Sequence, residues 1–160
     1  MKETRDDLVL STHPADQQPA AIHAYLTRSY WAEGIPLELV RRSLAHSLCF
    51  GVFDRGAQVA FARVVTDRAT FAYLCDVYVL ESHRGRGLAS WMMDAIGRHP
   101  DLLGLRRFLL ATRDAHGLYA RHGFAAPKNP AAFMEISRPG LYKSTAATGR
   151  ANADSLRQEQ

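Results

Sequence analysis

Apolar and polar positions along this chain fall into blocks whose period shifts between two and about 3.6, and the shifts mark its elements. Leu8-Val9-Leu10 reads as a short first strand. Ser11 to Asp16 is rich in capping residues, so a helix is expected from about Asp16 through Ser29. Trp31 to Pro36 interrupts it, and Pro36 is placed to open a second helix running to about Ala45. Leu48 to Phe53, Gln58 to Val65 and Ala69 to Leu80 read as strands, separated by the turn signals Asp54-Arg55-Gly56 and Thr66-Asp67-Arg68. Leu88, Trp91, Met92, Ala95 and Ile96 recur at helical spacing, and Pro100 ends that helix. Arg107 to Ala111 reads as a short central strand, Asp114 to His122 as a helix, and Ala132 to Ser137 as a final strand. The pattern is that of a mixed α/β domain over residues 1–142. Residues 143–160 are rich in Ala, Thr, Ser and Gln without an apolar period and are expected to form a disordered tail.

Composition narrows the class without naming it. The 160 residues suffice for one domain with its own core, and 47% of them are hydrophobic, which excludes a wholly disordered chain. No apolar run approaches the ~20 residues that span a bilayer. The polar start Met1 to Asp7 lacks the apolar stretch of a signal peptide, so a cytoplasmic protein with no membrane contact is expected. Cys49 and Cys75 have no His or Cys partners at ligand spacing and read as reduced core residues, with no metal. All but three of the 20 basic residues are arginine, and the net charge is +4. These arginines are scattered, with only Arg41-Arg42 and Arg106-Arg107 adjacent and no interleaved aromatics, so nucleic acid is not expected as a partner.

The stretch richest in chemistry is Arg84-Gly85-Arg86-Gly87-Leu88-Ala89-Ser90, between a strand and a helix. Glycines there let backbone approach a ligand, and the first free amides of the helix, with its dipole, form a site for a diphosphate. Arg84 and Arg86 add positive charge. A P-loop would end in Gly-Lys-Ser/Thr, but Leu88 follows Gly87. A dinucleotide fingerprint would need a third glycine where Ser90 stands. What remains is Arg/Gln-x-x-Gly-x-Gly/Ala, matched by Arg84, Gly87 and Ala89.

That pattern resembles the acyl-CoA loop of the GNAT superfamily of N-acetyltransferases. Further on, Ala115, Leu118, Tyr119, Gly123 and Phe124 fall on a second motif of that family, Asn-x-x-Ala-x-x-Leu-Tyr-x-x-x-Gly-Phe, with Thr112 in the place of Asn. Asp76-Val77-Tyr78-Val79 resembles the strand that hydrogen-bonds the pantetheine arm. The resemblance implies a mostly antiparallel central sheet with helices on both faces and a strand splayed at the acyl-CoA site. It implies acetyl-CoA bound by Val77, Tyr78, Val79, Arg84, Gly85, Arg86, Gly87, Leu88, Ala89, Ser90, Thr112 and Tyr119. Thr112 offers a hydroxyl where the family's amide often contacts pantetheine.

The chemistry asks for three things. An alkylamine with a pKa of ~10.4 must lose its proton, the carbonyl must be polarised, and the thiolate must be protonated. The resemblance implies a backbone amide near Val79 for the carbonyl and Tyr119 as general acid at the sulfur. Asp76 is the candidate base or amine ligand, with a structural partnership as the alternative. Tyr73, Glu33 and His46 are weaker candidates, and His83, His116 and His122 read as surface or phosphate-side groups. The resemblance places the acceptor pocket between Tyr30, Trp31 and Glu33 and the strand carrying Tyr73 and Asp76, where aromatic and acidic groups suit a cationic amine. A small-molecule N-acetyltransferase is thus expected, with room for a homodimer. The alternatives are a protein lysine or N-terminal acetyltransferase and a non-catalytic acyl-CoA-binding module.

Overall fold

Six strands form one sheet in the order β1 (Lys2–Arg5), β2 (Leu8–Ser11), β3 (Leu48–Asp54), β4 (Ala57–Thr66), β5 (Phe71–Val79) and β6 (Arg107–Leu110). All neighbours are antiparallel except β5 and β6, which run parallel. The structure, a computed structural model, describes residues 1–143, and the expected tail from residue 144 onward lies outside them.

Helices cover both faces. On one face α3 (Leu88–Arg98) and Tyr119 of α4 (His116–Ala120) pack on Leu10, Phe50, Val52, Ala62, Val64 and Leu74. On the other, α1 (Pro19–Leu26) and α2 (Leu37–Ala45) bury Ile22, Leu26 and Val40 against Cys49, Phe61 and Tyr78. Strands β3, β4 and β5 feed both cores because side chains alternate across a pleated sheet. Phe50 and Val52 face α3, whereas Cys49 between them faces α1 and α2. No helix among the described residues is long and apolar enough to cross a membrane.

Three expectations are corrected. Strand β1 was not anticipated, because Lys2-Glu3-Thr4-Arg5 is polar; side-chain bonds hold it, with Trp91 Nε1 and Arg98 donating to Glu3 at 3.0 and 2.8 Å. The first helix is shorter at both ends than Asp16 to Ser29. Pro19 sets its first turn, and beyond Leu26 the Ser29 hydroxyl donates to the Leu26 carbonyl and closes it. Ala132 ends a short 3-10 turn (Pro130–Ala132), and residues 133–137 pair with no strand among the described residues. Alternation alone does not make a strand: Met134 and Ile136 stand 97% and 90% exposed.

A buried amide network joins the start of α1 to β2 and β4. Gln17 donates to the Ser11 carbonyl, Gln58 donates to Gln17 at 3.1 Å, and the Gln18 amide donates to Gln58 at 2.8 Å. Gly51 lies against it, and a Cβ there would come within 2.6 Å of Gln58 Nε2 and 2.8 Å of Phe53. Gly51→Ala is therefore expected to cost about 1–3 kcal/mol, the usual penalty of overpacking. The check is urea unfolding, in which the midpoint should fall at unchanged slope.

Candidate active site

The site begins with a bulge. Phe61 pairs with Tyr78 and Arg63 with Cys75, so two residues of β5, Asp76 and Val77, oppose Ala62 alone. Asp76 has φ of +55°, in the left-handed region that aspartate tolerates better than most residues. The extra residue inverts the alternation along β5. Ala72 and Leu74 face the α3 core, and so do Val77 and Val79, while Tyr78 turns to the opposite core and stacks on Tyr25 at 3.9 Å.

An ion pair holds this backbone. Arg63 Nε donates to Asp76 Oδ2 at 2.7 Å, with only 17% and 11% of the two side chains exposed. Burial opposes the guanidinium charge, but Asp76 outweighs it and holds Arg63 above its ordinary pKa. Arg63 also donates to Ser47 Oγ at 3.1 Å. The second Asp76 oxygen accepts from Trp31 Nε1 at 3.1 Å, tying the loop after α1 to β5. Trp31 meets Tyr30 edge-on at 4.9 Å, and Arg113 lies 4.0 Å over the Tyr30 ring.

Beyond Leu74 the sheet parts. Pairing with β6 covers only Phe71–Leu74 against Arg107–Leu110, so among the described residues no strand pairs Cys75 to Val79 on that side. A cleft of about 510 Å³ opens there. Tyr30, Trp31, Asp76, Val77, Tyr78, Val79, Arg84, Ala89, Thr112 and Tyr119 all line it. These residues come from four separate segments of the chain, and the fold brings them to one opening.

At one end of the cleft lies the glycine loop. Gly85 and Gly87 both take left-handed φ, 75° and 73°, and Gly87 caps α3 without any side-chain bond. The first intrahelical bond runs from the Trp91 amide to the Gly87 carbonyl, so the amides of Leu88, Ala89 and Ser90 have no partner within the helix. Arg84 lines the cleft, held by Glu81 at 3.1 Å. Arg86 turns instead to Asp54, 3.8 Å away, which His83 also holds at 3.0 Å.

Tyr119 stands at the other end, nearly buried against Phe124. Burial, reinforced by Tyr30 and Asp114, raises its pKa, so the phenol keeps its proton at neutral pH. Thr112 Oγ1 accepts from the Ala115 amide at 3.0 Å, helping to set the start of α4. Two expected acceptor residues lie apart from the cleft. Glu33 pairs with Lys143 at 2.6 Å in a second cavity of about 690 Å³, which shares Tyr30 and Trp31 with the first. Tyr73 lines neither cavity.

Comparison with known proteins decides the family. Residues 9–124 match the acetyltransferase (GNAT) family model. The chain belongs to the GNAT family of acetyltransferases. A candidate acetyltransferase of Gibberella zeae is 33% identical over 142 residues, 74% of this chain and 79% of that protein. The crystal structure of a candidate GNAT acetyltransferase from Xanthomonas campestris pv. campestris is 55% identical, with a TM-score of 0.84 over 87% of this chain and 99% of that one. A candidate acetyltransferase of Clostridium acetobutylicum, solved with acetyl-CoA, shares the fold at 16% identity, with a TM-score of 0.60 over 86% and 96% of the two chains. The protein is accordingly an acetyltransferase of the GNAT fold, in a family that uses acetyl-CoA.

Sequence reasoning missed Arg63 in this GNAT site. Its signal was a lone arginine within the apolar run Gln58 to Val65, a charge that a buried strand accepts only with a partner. Breaking that pair by Asp76→Asn leaves the arginine uncompensated and is expected to cost about 3 kcal/mol. Adding Arg63→Met should restore most of this loss. Chemical denaturation of the two single variants and the double variant checks it: coupled losses are expected, and simple additivity would count against the pair.

Proposed function

We propose that this acetyltransferase carries the acetyl group of acetyl-CoA to the primary amine of a small molecule, in one step within a ternary complex. The observation that carries the reading is that Tyr119, Asp76, the open edge of β5 and the first turn of α3 share one cleft. The residues fit the co-substrate. A Cβ at Gly85 would meet nothing within 4 Å, which leaves room for a diphosphate beside the α3 amides. The backbone of Val77 and Tyr78, without a strand on the cleft side, suits an extended arm bearing amides, and Arg84, which donates to the Val79 carbonyl at 3.3 Å, adds charge at the cleft wall.

Each step then falls to a named group. The backbone after the bulge, near Val79, offers an amide to the thioester carbonyl. Tyr119 hydrogen-bonds the leaving sulfur and passes it a proton as charge develops there. Asp76 has both oxygens engaged, so we assign it to orienting the amine rather than to taking its proton, which leaves through water. Trp31 and Tyr30 present ring faces to the ammonium and form the wall through which the acceptor enters from the second cavity.

Direct transfer is favoured over a covalent acetyl-enzyme by the state of the cysteine in the cleft. Burial pushes the Cys75 thiol up to about 12, so at neutral pH it is not the thiolate a nucleophile requires.

Two measurements test the reading. Initial rates against acetyl-CoA and a panel of small primary amines should give intersecting lines, and Cys75→Ala should still transfer; parallel lines would contradict direct transfer. Tyr119→Phe should keep CoA affinity by calorimetry yet slow single-turnover transfer by ~100- to 10,000-fold, the usual worth of a general acid. An unchanged transfer step would remove Tyr119 from the mechanism.

A further inference from the structure

Ser90, His122 and Asp94 form a chain of contacts between α3 and α4, a hydrogen bond at one end and a charge-pair contact at the other. Ser90 Oγ lies 3.0 Å from His122 Nε2, and His122 Nδ1 lies 3.4 Å from Asp94 Oδ1. The Ser90 hydroxyl and His122 Nε2 share one hydrogen, and Asp94 sets a carboxylate beside the other ring nitrogen. The imidazole is 13% exposed, while Asp94 is half exposed.

The ends of this chain matter. Ser90 is the third residue of α3, on the turn whose amides serve the diphosphate in the reading above. His122 follows Tyr119 by three residues, and its amide donates to the Tyr119 carbonyl at 3.0 Å. Helix α4 has only five residues, too few to hold its own position in water. Its phenol must nonetheless stand at a fixed distance from the turn that anchors the far end of the co-substrate.

We propose that the Ser90–His122–Asp94 chain sets that distance, so that His122 is a positioning residue for Tyr119. This rests on the proposed role of Tyr119 as the acid at the sulfur. The residue order is that of a nucleophilic relay, but a relay orients its histidine through a buried carboxylate, and Asp94 is half exposed. A spacer needs only the two contacts. Its loss should appear in the rate of transfer rather than in binding, because a displacement of 1 Å at the reacting groups costs up to about 100-fold.

The test uses His122→Ala and His122→Gln, each alone and combined with Tyr119→Phe, in single turnover with acetyl-CoA and an amine the enzyme accepts. His122→Ala is expected to slow transfer by roughly 10- to 100-fold, with CoA affinity by calorimetry unchanged within about twofold, the scatter of independent sites. His122→Gln, whose amide reaches the Ser90 hydroxyl, should recover most of the rate. In the Tyr119→Phe background His122→Ala should add no further loss, because the group it positions is gone. Wild-type transfer by His122→Ala, an equal loss in both backgrounds, or a loss of CoA affinity in place of rate would each overturn the proposal. Should His122→Ala fail to fold, His122→Asn, which keeps the Asp94 contact and drops Ser90, decides the same way: slowed transfer supports the spacer and an unchanged rate overturns it. A Tyr119→Phe variant that transfers at the wild-type rate would overturn the acid assignment and this proposal together. It is recognised separately, because it involves no change at His122.

Discussion

The ion pair between Arg63 and Asp76 is the constraint on which the rest of the site depends. It fastens a left-handed residue in the middle of a strand, where a straight ladder would otherwise form. The resulting bulge inverts the facing of every later residue of β5. Tyr78 is sent into the α1 and α2 core, and Val77 and Val79 are turned to the α3 side. Just before it, at Leu74, pairing with β6 ends. The same carboxylate catches the Trp31 indole, so the wall between the two cavities hangs on the bulge as well. The cost of burying two charges is offset because each also finds a second partner, Ser47 for the arginine and Trp31 for the aspartate.

The two ends of the cleft are held by different means. Where we propose the diphosphate, the work falls to backbone: left-handed glycines and an uncapped helix turn leave amides free. Where we propose the thioester, it falls to side chains, with a buried phenol on a one-turn helix that Thr112, Phe124 and the Ser90–His122 contact keep in place. An extended co-substrate is read at both ends only if the two supports keep a constant separation. The α3 core, shared by Leu88, Trp91 and Tyr119, provides the rigid body between them.

Local signals were legible in the sequence and pairings were not. The strand-to-helix junction at Arg84 to Ala89 was legible because glycine spacing encodes its left-handed backbone directly. The motif around Tyr119 was legible for the same reason, as a run of residues close in sequence. Asp76 was found, but its partner Arg63 lies thirteen residues away on another strand, and nothing local announces such a pair. Glu33 read as an acceptor ligand from its neighbours, yet Lys143, far along the chain, takes it. The polar strand β1 and the unpaired segment Ala132 to Ser137 miscarried in opposite senses. Side chains from α3 hold the first without an apolar pattern, and the second has the pattern but leaves Met134 and Ile136 exposed and pairs with no strand.

In the proposed mechanism the bulge held by Arg63 and Asp76 aims the backbone of β5 at the thioester. The most direct measurement is single-turnover acetyl transfer by the double variant Arg63→Met with Asp76→Asn, in which neither buried charge is left unpaired. The account predicts a folded protein that binds CoA through the α3 turn but transfers acetyl at least ~100-fold more slowly, the scale of losing one preorganised donor to the carbonyl. Transfer at the wild-type rate would contradict it.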